Sequence, residues 1–143
     1  MDVLDVNILL NAHRVEQSQH QAIRAWLDSL IGEGGPFGVP SLVFSAFLRI
    51  STNPRAFVTP TPSQLALEAV EAWRTQPGCV LLEPGARHWS VFTELLARVG
   101  ARGNVVPDVY LAAIAIENGG DFVSTDRGFG RLPGLRWRHP LEP

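Results

Sequence analysis

Apolar positions along the chain fall into short strand-like runs separated by stretches with helical spacing. Val3 to Leu10 is apolar apart from Asp5 and Asn7, and reads as a short buried strand that turns into a helix near Asp5. From about His20, Ile23, Leu27, Leu30 and Ile31 recur at helical intervals, with Trp26 widening the stripe, until Gly32, Gly34 and Gly35 stop it. Pro36 to Pro40 predicts a short strand, and Ser41 is placed to cap a helix running to about Ser51, with Val43, Phe47 and Ile50 on one face. Thr61-Pro62-Ser63-Gln64 reads as a helix start, with Thr61 as cap and Gln64 closing a capping box. Leu65, Ala69 and Trp73 form its predicted apolar stripe, and Pro77-Gly78 ends it.

Val80-Leu81-Leu82 predicts a strand, and Trp89 to Val99 an amphipathic helix closed by Gly100. Pro107 to Ile116 predicts a mostly apolar, buried helix stopped by Gly119-Gly120. Phe122 to Thr125 predicts another strand, and Leu135 to Trp137 a last one. Short strands alternating with helices imply an α/β fold: a short parallel sheet flanked by helices, with ligands gathered at the carboxyl ends of the strands.

The length, 143 residues, suits one domain spanning residues 1–143. The longest apolar run, Val109 to Ile116, is far short of the roughly 20 residues a membrane helix needs. Acids at Asp2 and Asp5 stand where a secretory signal carries basic residues, so a cytoplasmic protein is expected. One cysteine, Cys79, excludes an intrachain disulfide and a cysteine-based zinc cluster. His13, His20, His88 and His139 lack metal-ligand spacing, which assigns them to surface or packing roles. All 12 basic residues are arginine, so lysine chemistry is excluded. The net charge of −2 gives no global reason to bind nucleic acid, but Phe122 to Pro140 carries four arginines against one acid.

Three acids stand out against this layout. Asp5 ends the first strand, Asp126 ends the strand after Phe122, and Asp108 lies in the first turn of the buried helix. Gathered at one sheet edge, three carboxylates repel unless a cation neutralises them, and oxygen-only ligands favour Mg²⁺, or Mn²⁺, over zinc. Each also has a plain structural reading: a helix cap at Asp5 or Asn7, a favourable helix-dipole charge at Asp108, a turn at Asp126. An acid inside Val3-Leu4-Asp5-Val6 is the costliest of the three to explain structurally.

Leu4-Asp5-Val6-Asn7-Ile8-Leu9-Leu10, Asn104 to Ala115 around Asp108, and Val123-Ser124-Thr125-Asp126-Arg127-Gly128-Phe129, in that order, resemble the PIN-domain ribonucleases, specifically VapC-type toxins of type II toxin–antitoxin pairs. The resemblance covers nearly the whole chain, including Leu48 to Phe57. It implies a PIN-like fold and an Mg²⁺-dependent endoribonuclease that leaves a 5′-phosphate and a 3′-hydroxyl. Asp5, Asp108 and Asp126 would be its catalytic and metal-binding residues. Arg49, Asn104, Thr125 and Arg127 would be substrate-binding, and the partners a VapB-type antitoxin, RNA and a second copy of the chain. The apolar stripes around Val43 and Phe47, or Trp89 and Phe92, are the candidate dimer faces, and the arginine-rich tail is the candidate RNA contact.

One departure concerns the third helix, where most relatives carry a glutamate three residues before an arginine. Here Arg49 holds the arginine place and Ala46 the glutamate place. A catalytically weak or inactive PIN-fold module that binds RNA or antitoxin is therefore the alternative. A phospho-receiver or phosphatase of similar layout is disfavoured by the missing lysine and by Asn7 where a phosphatase needs a second aspartate.

Overall fold

The computed structural model describes all residues, Met1–Pro143. Strands β1 (Asp2–Leu4), β2 (Phe37–Pro40), β3 (Cys79–Leu82), β4 (Asp121–Val123) and β5 (Trp137–Arg138) form one sheet in the order β3-β2-β1-β4-β5. Every pairing is parallel. Helices α1 (Val6–His13), α2 (His20–Gly32), α3 (Ser41–Ser51), α4 (Ser63–Arg74), α5 (His88–Val99) and α6 (Val105–Glu117) supply the connections, and a 3₁₀ turn (Arg127–Arg131) links β4 to β5.

Alternation along the central strands divides the core. Leu4 and Val123 pack with Ile8, Ile23, Val39, Val43 and Phe47 on the face covered by α1 to α4. Val3 and Phe122, one residue earlier in each strand, point to the other face, against Phe92, Leu95 and the apolar side of α6. Both faces of β1, β2 and β4 are covered, which is why these strands read as apolar runs, whereas Val80 and Leu81 on edge strand β3 are exposed.

The chain winds outward from β1 through β2 to β3, then returns to the other side of β1 for β4 and β5. The winding reverses between β1 and β4, so the loops leaving these two strands diverge and open a crevice at their carboxyl ends. Asp5 follows β1 and Ser124 to Asp126 follow β4.

Several predicted details change. Pro40, not Ser41, precedes the first turn of α3, and no side chain caps it. No capping box forms at α4, because Thr61 Oγ1 instead bonds His13 Nε2 at 3.1 Å and Arg14 Nη1 at 3.0 Å. Ala66 and Val70 are the buried face of α4, with Ala69 and Trp73 beside them, while Leu65 is 52% exposed. Helix α6 begins two residues before Pro107, whose missing N–H is harmless in a first turn. The last strand is shifted onto Trp137–Arg138, paired with Phe122 and Val123. Val43 and Phe47 are fully buried within the chain, which removes them as a dimer face, whereas Trp89 stands exposed on α5. No helix is long and apolar enough to cross a membrane.

Candidate functional site

Asp5 occupies the junction between β1 and α1. Its backbone is still extended, and its Oδ1 accepts the Val6 N–H at 2.7 Å, so it is the helix cap that the structural reading anticipated. That role uses only one oxygen. Oδ2 accepts from the Ser124 hydroxyl at 2.7 Å and from Asn7 Nδ2 at 3.1 Å. All three donors are neutral, and no arginine or histidine pairs with this carboxylate, which is only 4% exposed. Burial raises its pKa to about 6 against the lowering effect of the Ser124 and Val6 hydrogen bonds, and Asp108 and Asp126 add repulsion.

Asp108 projects from the first turn of α6 and is half-buried. Its pKa is raised by burial and by repulsion from Asp126. Asp126 caps the 3₁₀ turn, its Oδ1 accepting the Gly128 N–H at 2.8 Å, and it remains exposed. These three carboxylates line a single cavity of about 350 Å³, shared with Asn7, Ala46 and Arg49. The chain's largest cavity lies elsewhere, between His13–Glu16 and Ala56–Thr61, and contains neither Asp108 nor Asp126.

Ser124 and Asn7 knit the two strand ends together. Ser124 Oγ donates to Asp5 and accepts from Asn7 Nδ2 at 2.9 Å and from the Asp126 N–H at 3.0 Å. Asn7 Oδ1 accepts the Thr125 N–H at 3.1 Å. The sequence signal for Ser124 is its place two residues before Asp126.

Among the expected substrate residues, only Arg49 reaches this cavity. It is exposed and forms no ion pair. Thr125 contributes its backbone to Asn7, and its side chain does not line the cavity. Asn104 is exposed at the start of α6, also outside it. Arg127 is held in an ion pair with Glu142. The arginine-rich tail is largely neutralised in the same way, with Arg136 on Asp121 and Arg138 on Asp2. Sequence proximity of acids and bases cannot reveal such pairings, because their partners lie 15 to 136 residues away.

The donor set fits a hard divalent cation. It is oxygen only, it carries three negative charges in one cavity, and the most buried member has no counter-charge. No three acidic, histidine or cysteine side chains are drawn tightly enough together to enclose a bare ion. Mg²⁺ retains several of its own waters and needs few direct protein ligands.

A PIN-domain family model matches residues 3–135. A VapC ribonuclease of Mycobacterium bovis is 44% identical over 139 residues, covering 97% of this chain and 95% of its own length. Ribonuclease VapC25 of Mycobacterium tuberculosis is 41% identical over 140 residues, covering 98% and 99%. Among solved structures, VapBC2 from Rickettsia felis bound to a promoter DNA fragment superposes with TM-score 0.69 at 17% identity, covering 96% of this chain and 97% of that one. The Mycobacterium tuberculosis toxin VapC20, described as cleaving the sarcin–ricin loop, superposes with TM-score 0.67 at 13% identity, covering 95% and 99%.

Proposed function

The chain belongs to the PIN-domain family, on its VapC ribonuclease branch, and from that premise we propose that it is an Mg²⁺-dependent endoribonuclease, the toxin of a type II toxin–antitoxin pair. The observation that carries this reading is the cavity at the β1/β4 crevice, where Asp5, Asp108 and Asp126 meet with no ion-paired cation among them. A structural acid cluster would be expected to recruit an arginine. This one leaves its charge available.

Asp5, Asp108 and Asp126 would hold the ion, and Mn²⁺ would substitute for it. When bound, it supplies Lewis-acid polarisation and neutralises charge on the scissile phosphate. Ser124 and Asn7 hold the Asp5 carboxylate in one orientation, which limits the rearrangement needed on binding. Arg49 offers the cavity's positive charge to an RNA phosphate. Hydrolysis adds water across the P–O3′ bond, leaving a 5′-phosphate and a 3′-hydroxyl.

The assembly proposed is a homodimer bound by a VapB-type antitoxin, acting in the cytoplasm as one PIN unit. Of the two candidate dimer stripes, Val43, Phe47 and Phe92 are buried within the chain and only Trp89 is exposed to meet a second copy. Ala46 on the cavity wall favours a second reading, in which the chain binds RNA but cleaves it weakly.

Purified protein incubated with single-stranded RNA tests the main reading. Internal cleavage is expected in Mg²⁺, abolished by EDTA and by Asp108→Asn. Absence of cleavage in any divalent ion, with RNA binding intact, establishes the binding-module reading instead. The antitoxin assignment is checked by co-purification with the product of the neighbouring open reading frame.

A further inference from the structure

A second cavity, of about 400 Å³, adjoins the carboxylates and shares Asp108 and Phe129 with their cavity. Its other walls are Val99, Val105 and Leu132, and its cation is Arg131. Its volume lies within the roughly 300–1,000 Å³ typical of small-ligand sites. Of the four arginines between Phe122 and Pro140, three are neutralised by Glu142, Asp121 and Asp2. Arg131 alone has no acidic partner and makes no side-chain hydrogen bond. A second unpaired arginine, Arg102, lies in the α5–α6 connection between the lining residues Val99 and Val105.

Apolar walls with one free guanidinium match the two halves of a nucleotide, a flat base and a phosphate. Because the two cavities meet at Asp108 and Phe129, a nucleotide flanking a phosphate held among Asp5, Asp108 and Asp126 would have this space beside it. We infer that the cavity between the α5–α6 connection and the 3₁₀ turn is the subsite for the nucleotide next to the cleaved bond, with Arg131 on its phosphate. The inference rests on the ribonuclease reading and assigns one nucleotide of its substrate to a defined cavity.

Two measurements test this on the full chain. Steady-state cleavage in Mg²⁺ separates KM from kcat. Fluorescence anisotropy with a labelled single-stranded RNA in EDTA gives affinity and its salt dependence without cleavage. Arg131→Ala is expected to raise KM and Kd at least fivefold, with kcat within twofold of wild type. It should also flatten the plot of log affinity against log salt by about 0.7, the contribution of one single-strand phosphate contact. Arg131→Lys should retain the slope. The control is Arg24→Ala, which removes the same charge from the exposed face of α2. If Arg131→Ala matches that control in KM, Kd and slope, the subsite is refuted. A wild-type protein that binds RNA through Arg131 but never cleaves it overturns the ribonuclease reading and reduces the cavity to a nucleotide-binding site with no cleaved bond beside it. A protein that neither binds nor cleaves RNA overturns both.

Discussion

The Ser124 hydroxyl donates to Asp5 Oδ2 at 2.7 Å, joining residues 119 positions apart across the β1/β4 crevice. This bond stabilises the charged form of a carboxylate that burial otherwise drives toward its protonated state. The same hydroxyl accepts the Asp126 N–H, so one small side chain ties together two of the three acids. Ser124→Ala should therefore do more than remove a buried hydrogen bond. We expect a loss of about 1–3 kcal/mol in stability from the unsatisfied partners, a further rise in the Asp5 pKa, and a higher Mg²⁺ requirement for cleavage. Urea denaturation and a Mg²⁺ titration check the two effects separately, and Ser124→Thr should restore the second.

Asp5 itself works against the stability of the metal-free protein. Its pKa rises from 3.8 to about 6 on folding, so the folded state binds the proton more tightly than the unfolded state. The penalty for its charge is fully present above pH 6 and is relieved as pH falls from 6 toward 4. A shift of this size corresponds to about 3 kcal/mol at neutral pH. Asp5→Asn, which preserves a capping side chain, should stabilise the metal-free protein at pH 7, with the gain shrinking toward pH 4, and should abolish cleavage. Thermal melts of both proteins at several pH values test this. Mg²⁺ should raise the wild-type Tm and leave the variant's unchanged. Equal melting behaviour at pH 7 would show that Asp5 carries no burial penalty.

The alternation of strand and helix, and the acids at strand ends, were legible because both are local patterns. Asp5 and Asp126 follow the ends of β1 and β4, and a parallel sheet must bring such ends to one edge. Long-range pairing was not legible. Nothing near Arg127 indicates Glu142, and nothing near Thr61 indicates that Arg14 and His13 claim its hydroxyl in place of a helix cap. On α4 the predicted stripe holds at Ala69 and Trp73, which pack against the core, but not at Leu65, which is exposed while its neighbour Ala66 is buried.

Gly78 shows the same limit in the backbone. Pro77-Gly78 reads as an ordinary helix stop, yet a Cβ at Gly78 would lie 2.3 Å from the Gly35 carbonyl oxygen. The Gly78 carbonyl also accepts the Phe37 N–H at 2.9 Å, fixing the start of β2 beside β3. Gly78→Ala must displace backbone rather than a flexible side chain, so we expect a loss of about 1–3 kcal/mol by urea denaturation. Gly100→Ala, at a helix end with φ +62° and open space around it, should cost about 1 kcal/mol from backbone strain alone.

Ala46 offers the sharpest test of the site's charge balance. It lines the carboxylate cavity on α3, one turn before Arg49, and Arg49 consequently has no acid beside it on the helix. Ala46→Glu adds an anionic oxygen donor facing the cavity, which should strengthen the hold on a hard cation. It also places a carboxylate three residues before Arg49, the spacing at which helical ion pairs form. The two effects should appear in different parameters. The Mg²⁺ concentration for half-maximal cleavage should fall several-fold, while KM for RNA should rise as Arg49 is drawn away from phosphate. Arg49→Ala alone should raise KM without moving the Mg²⁺ midpoint, and combining it with Ala46→Glu should add little further rise. Titrating Mg²⁺ and RNA independently across the four proteins resolves the pattern. An unchanged Mg²⁺ midpoint in a folded Ala46→Glu protein would falsify the claim that the gap at position 46 weakens the metal site.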